Sequence, residues 1–227
     1  MDKYGLPSAD HEVMQDDDYQ SLLFKLIQDR QNPVIINMCA GVGRDSIAMH
    51  DFALAKGLNP FSIAIDCDPI KFADSNEHFD GRFESVNHLE QCQKSHADGK
   101  IPYFIDSLPS LIKTQSLALP HRPKADFMLC NAGIMFIKRE LLVKSVQQMV
   151  DMLSSKREGQ LLLGFSSKRP DIHYGDDDQR YTQREIDSAL KSIKNIEPVL
   201  SLSDLDDVVK GGRGFKWHYR LLTRMPL

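Results

Sequence analysis

The 227-residue sequence is short of cysteine and tryptophan, with four of the first and one of the second. It has no long apolar run, no surplus of positive charge and no secretory start. Each shortage removes a class of function. Cys39, Cys67, Cys92 and Cys130 are scattered, and no two have the close spacing of a metal-ligand pair. Three of them fall in or beside stretches that read as buried strands, where a free thiol packs as a small hydrophobe. Reduced thiols in a cytoplasmic protein, with no metal, are the expectation. A membrane span needs about 20 consecutive apolar residues, and no run approaches that length. Met1-Asp-Lys-Tyr-Gly lacks the basic start and apolar core of a signal segment. A formal net charge of −4 argues against a nucleic-acid partner held by bulk electrostatics.

What is present suits one α/β domain spanning 1–227. Hydrophobic residues make up 41% and charged residues 26%, enough for a sizeable core. Residues 1–30 read as an arm and a helix: Asp16 to Asp18 precede Leu22, Leu23, Leu26 and Ile27 at helical spacing. That segment is expected to cover the active site. Short apolar strands are expected at Val34–Asn37, Phe61–Asp66, Ile101–Asp106, Ala125–Asn131 and Gln160–Phe165. Helices are expected from Gly43 to Lys56, over 70–78, over Phe83–Lys94, around 108–117 and over Ile137–Leu153. Pro102 marks the third strand as an edge strand or as one that begins late. Five alternations of strand and helix predict a parallel, doubly wound sheet. The rhythm then changes. After the polar loop 166–180, Thr182 and Glu185 have capping-box spacing and start a helix running to about Ile193. Two strands, around Val199–Leu202 and Phe215–Leu222, follow with no helix between them, so they pair antiparallel.

The organising stretch is Pro33-Val-Ile-Ile-Asn-Met-Cys-Ala-Gly-Val-Gly-Arg-Asp-Ser-Ile-Ala-Met49. Strand, glycine turn and helix form the unit that holds a nucleotide-like ligand at a helix N-terminus. Asp66 ends the next strand, where a carboxylate can accept both hydroxyls of a ribose. Asp106, followed by Ser107, ends the third strand, and Asn131 ends the fourth. All lie at carboxyl ends of strands, where open α/β sheets bind ligands. Taken singly, the acids could equally be helix N-caps, and Asp68 before Pro69 has the better claim to that role.

Together with Ala64-Ile-Asp-Cys-Asp-Pro-Ile-Lys71, Phe104-Ile-Asp-Ser-Leu-Pro109 and Ala125-Asp-Phe-Met-Leu-Cys-Asn131, this stretch resembles class I S-adenosylmethionine-dependent methyltransferases. The resemblance covers about Tyr19 to Arg224. It implies a Rossmann-like three-layer sandwich with a mixed seven-stranded sheet: five parallel strands and a C-terminal antiparallel hairpin. It implies S-adenosyl-L-methionine as cofactor and S-adenosyl-L-homocysteine as product. The cofactor-binding set would be Asn37, Cys39, Gly41, Gly43, Asp66, Cys67, Asp106, Ser107 and Asn131, with Asn131 also facing the reacting end. Two positions depart from the family pattern. Asn37 stands where an acid is usual, and Cys39 stands where the first glycine is usual. A cysteine there is tolerable if its φ is negative.

For a hydroxyl acceptor a general base is needed, and His173 is a candidate by its loop position. Tyr19, Met135 and Arg213 are candidate acceptor contacts. Lys138, Arg139, Lys168, Arg169 and Lys216 make a small anionic acceptor the working expectation, against the plainer reading of scattered surface charge. The sequence leaves the oligomeric state open. Two alternatives stay open. One is a methyltransferase-like module without catalysis. The other is a nicotinamide-dependent reductase, for which Asn131-Ala-Gly133 speaks. Against that, no tyrosine has a lysine four residues on, and Ser46 replaces the third fingerprint glycine.

Overall fold

The protein is seen in a computed structural model that describes residues 27–109, 111, 124–166, 181–206 and 216–226. Eight strands form one sheet: β1 (Val34–Met38), β2 (Phe61–Asp66), β3 (Phe83–Val86), β4 (Ile101–Ile105), β5 (Phe127–Asn131), β6 (Gln160–Ser166), β7 (Ile196–Asp206) and β8 (Lys216–Arg224). Their order across the sheet is β3-β4-β2-β1-β5-β6-β8-β7. The first six run parallel, while β8 pairs antiparallel with both β6 and β7. The helices are α1 (Arg44–Ala55), α2 (Pro69–His78), α3 (Leu89–Ala97), α4 (Arg139–Met152) and α5 (Gln183–Leu190), with a 3-10 turn at Gly133–Phe136.

The expected layout holds: mostly parallel strands, then an antiparallel terminal pair. Two details differ. The sheet has eight strands rather than seven, six of them parallel rather than five. The extra strand is β3, taken from the expected helix at Phe83–Lys94. Phe83 and Val86 are buried while Glu84 and Ser85 are not. Phe83 meets Tyr103 and Phe79 edge-on at 5.7 and 6.1 Å. Anchoring at both ends of four residues favours an extended segment, although the stretch is polar overall. The helix starts later, at Leu89, where His88 and Gln91 form a capping box. With β3 outside it, β4 is not at the edge despite Pro102. The proline is opposite Glu84 of β3, and pairing with β2 begins only at Tyr103, past the missing N–H.

Alternation of side chains along the strands divides the core. Ile36, Met38, Met128, Cys130, Leu161 and Leu163 pack with Leu142, Val146, Met149 and Val150 of α4. Ile35, Phe127, Leu129, Leu162 and Leu221 face the other way, onto Met49 and Ala53 of α1. Arg224 closes the far end of the sheet. Its Nη1 donates to the carbonyls of Val150, Asp151 and Leu153, each at 2.8 Å, which satisfies the end of α4.

On α1, His50 is buried and its Nδ1 lies 3.0 Å from Ser62 Oγ of β2. Burial pushes its pKa below the ordinary 6.5. The unfolded chain therefore takes up a proton that the folded one resists. The contribution to stability is full above pH 6.5 and is lost as pH falls toward the lowered folded value. Urea denaturation at about pH 7.5 and about pH 5.5 should show a smaller acid loss of stability for His50→Asn than for the native chain.

Candidate active site

The turn after β1 is built from residues in unusual backbone conformations. Cys39, Gly41 and Gly43 have φ of 59°, 56° and 80°. For glycine this region is free of steric cost, but for cysteine it is strained. The condition under which a cysteine is tolerated here, a negative φ, is not met: the chain keeps the glycine-type conformation and carries a thiol through it. Room is the second requirement. Among the described residues a Cβ on Gly41 would meet nothing within 4 Å, whereas one on Gly43 would come within 2.2 Å of the Phe83 ring. Neighbouring strands hold the turn. Asp66 Oδ2 accepts from Gly41 N at 2.7 Å, and Tyr103 Oη donates to Gly41 O at 2.5 Å.

Asp66 Oδ1 accepts from Asp68 N at 3.0 Å. Each Asp66 oxygen thus accepts one backbone N–H, and the Cys67 thiol adds a hydrogen bond to the same carboxylate. Asp106 N donates to Asp66 O at 2.8 Å, tying the tips of β2 and β4 together. Asp106 Oδ1 accepts from Ser107 N at 3.0 Å. Cys67 and Ser107 are exposed beside these acids. Asp68 is the cap of α2, accepting from Ile70 N at 2.8 Å. Asn37 is 2% exposed, and its Nδ2 donates to Ser46 Oγ of α1 at 3.0 Å. Asn131 ends β5 on the same sheet face as Asn37. Its Nδ2 lies 3.4 Å from Asp45 Oδ2 at the start of α1. Its Oδ1 is enclosed and has no hydrogen-bond partner among the described residues. These groups line the carboxyl edge of the sheet around the β1–β5 boundary, where the strand order reverses and open α/β sheets bind ligands.

No family profile and no curated protein matches the sequence. Solved structures do match. Magnesium protoporphyrin IX methyltransferase from Synechocystis, with bound SAH, superposes with a TM-score of 0.56 at 14% identity, over 93% of this chain and 84% of that one. An S-adenosylmethionine-dependent methyltransferase from Clostridium acetobutylicum gives 0.52 at 11%, over 95% and 96%. The 1,6-didemethyltoxoflavin-N1-methyltransferase of Burkholderia thailandensis, solved with 1,6-didemethyltoxoflavin and S-adenosylhomocysteine, gives 0.57 at 14%, over 95% and 80%. The fold is that of class I S-adenosylmethionine-dependent methyltransferases.

In this methyltransferase fold the residues expected to hold cofactor come together: Asn37, Cys39, Gly41, Gly43, Asp66, Cys67, Asp106, Ser107 and Asn131 all lie at the carboxyl ends of β1, β2, β4 and β5. Tyr19, His173 and Arg213 lie outside the described residues, as do Lys168, Arg169 and most of the expected 108–117 helix. Met135 is buried, and its sulfur accepts from Ser166 N and Oγ at 3.4 and 3.3 Å. The exposed side chain of that 3-10 turn is its neighbour Phe136. Arg139 is paired with Glu185 and lies 5.4 Å from the Tyr181 ring centre. An open groove of about 320 Å³ lined by these three residues runs between α4 and α5, away from the glycine turn.

Two site residues have no strong signal in the sequence, Tyr103 and Asp45. Tyr103 is two positions inside its strand end and reads as core. Asp45 reads as an ordinary acid at a helix start. The thiols here are unsuited to nucleophilic work. A hydrogen bond with Cys130, followed by burial, holds the Cys39 thiol well above its ordinary range. Burial and then Asp66 raise that of Cys67. Among the described residues no His, Cys, Asp and Glu cluster could hold a metal.

Cys39 is also tightly coupled to Gly133. A Cβ on Gly133 would fall 2.3 Å from Cys39 Cβ and 2.4 Å from its Sγ. Gly133→Ala should cost about 1–3 kcal/mol by overpacking. Cys39→Gly should abolish most of that cost, giving a strongly non-additive double mutant in urea denaturation. Additive costs would contradict this packing.

Proposed function

We propose that the protein is an S-adenosylmethionine-dependent methyltransferase acting on a small-molecule acceptor by in-line displacement. The observation that carries this reading is the convergence of the glycine turn, Asp66, Asp106 and Asn131 on the carboxyl edge of the sheet around the strand-order reversal. S-adenosylmethionine, when bound, supplies a methyl group on a sulfonium, already a good leaving group. The chain's task is then to hold and align the reactants and to exclude water. The donor set fits that cofactor. Asp66 stands at the end of β2, where a carboxylate can accept the two ribose hydroxyls. Among the described residues the glycine turn leaves open space above Gly41 for close approach of the chain. Asp106 and Ser107 flank the adenine position. Asn131, at the end of β5, would face the reacting end.

A small acceptor accords with the single compact sheet and the absence of a strong basic balance. The Burkholderia neighbour, solved with a small-molecule acceptor, points the same way. We place 1–30, with Tyr19, over the acceptor, together with Arg213 and the loop carrying His173. Four free thiols suit a reducing cytoplasm. No described helix is long and apolar enough to cross a membrane.

Titration calorimetry with S-adenosylhomocysteine is the test. The native chain should bind it, and Asp66→Ala should lose about 100-fold or more in affinity, through two charge-assisted bonds of about 1.5–3 kcal/mol each. Absence of heat with either S-adenosylmethionine or its demethylated product would overturn the proposal.

A further inference from the structure

We propose that Tyr103 is a positioning residue for cofactor binding: its hydroxyl sets which way the Gly41–Val42 peptide faces. The inference rests on the methyltransferase reading and assigns a residue outside the set expected to hold the cofactor. Tyr103 is fully buried. It packs with Ala64, Phe83 and Ile101, and its ring meets those of Phe72 and Phe83 at 5.3 and 5.7 Å. In such an apolar cluster a phenylalanine would serve for packing, so the hydroxyl is the part that calls for a reason. The plain reading is that any buried phenol finds a partner. Here the partner is Gly41 O, and that carbonyl belongs to the central peptide of the tight turn after β1.

Gly43 N donates to Ala40 O at 2.9 Å, closing a β-turn over Ala40–Gly43. Gly41 has φ of 56°, and Val42 is not among the residues with positive φ. Positive then negative φ at the two central positions makes the turn type II′. Turning its central peptide over gives type I′, which needs positive φ at both positions. A β-branched residue resists that conformation, so Val42 opposes the flip by sterics. Tyr103 opposes it by a hydrogen bond. Across a trans peptide the carbonyl and the following N–H point opposite ways. With Gly41 O held toward Tyr103, Val42 N–H is turned away from it, and among the described residues no backbone carbonyl accepts from that N–H. The turn thus offers a donor to a ligand resting on it. The flipped turn would offer the Gly41 oxygen instead. A ligand carboxylate, such as that of the cofactor's amino-acid end, tells the two apart: it accepts from the first and is repelled by the second.

Calorimetry with two ligands tests this: S-adenosylhomocysteine, and 5′-methylthioadenosine, which lacks the amino-acid end. Tyr103→Phe removes only the hydroxyl. It should weaken S-adenosylhomocysteine about 3- to 10-fold and leave 5′-methylthioadenosine within about twofold. In a Val42→Gly background, where sterics no longer oppose the flip, the same change should cost about threefold more than in the native chain. Unchanged affinity for S-adenosylhomocysteine in Tyr103→Phe would overturn the assignment and leave the methyltransferase reading standing. An equal loss for both ligands would also overturn it, since that marks general damage to the core beneath the turn. So would an equal loss in both backgrounds. A native chain that binds neither ligand overturns the methyltransferase reading as well.

Discussion

Both polar groups of Gly41 are taken by neighbouring strands. Its N–H goes to the Asp66 carboxylate on β2 and its carbonyl to the Tyr103 hydroxyl on β4. A loop of small residues would otherwise sample many conformations, since glycine gives up the most freedom on ordering. The two bonds fix it against the sheet before any ligand arrives. They also make Asp66 serve two purposes, so that the acid that reaches for a ligand is itself aimed by the turn. Through Asp106 N, the tip of β4 is bound into the same arrangement. Much of the ordering cost of binding is thereby met in folding.

Charge in the crevice is handled by position rather than by number. Tyr103 is kept neutral by burial and then by the nearby Asp66, so it remains a donor. The thiols of Cys39 and Cys67 are kept protonated and add no negative charge. Asp45, Asp66, Asp68 and Asp106 are the carboxylates at this end of β1, β2, β4 and β5, and Asp66 and Asp68 both act on Tyr103 and Cys67. The neutral Asn37 removes one possible negative charge from beneath the turn.

Most of the fold is legible in the sequence because five of the parallel strands are short apolar runs that stop at a glycine-containing turn or at, or one residue before, an Asp, Asn or Ser. Strand β3 is not, because Phe83-Glu-Ser-Val86 has only two apolar residues. They become a strand only through partners distant in sequence, Ile101 opposite Phe83 and Phe104 opposite Val86. Of the two readings of Pro102, the late start holds toward β2, where pairing begins at Tyr103, and the edge position does not, because β3 pairs outside it. At the site, Gly41, Gly43, Asp66, Asp106 and Asn131 stand out because turn chemistry and strand ends are local properties. The conformation of Cys39 is hidden, since a cysteine gives no hint of positive φ. Asp45 is hidden too, because its meaning depends on Asn131, a contact across the crevice.

The position of β8 has a consequence for how such a chain is made. It is late in the sequence yet interior in the sheet, between β6 and β7. Until residues 216–224 have been synthesised, β6 has an unpaired edge and β7 has nowhere to pair. During that interval the nascent chain presents Gln160-Leu-Leu-Leu-Gly-Phe-Ser166 as an apolar edge, the kind of surface on which strands from other chains add. Arg224, gripping the end of α4, marks the moment at which that exposure ends.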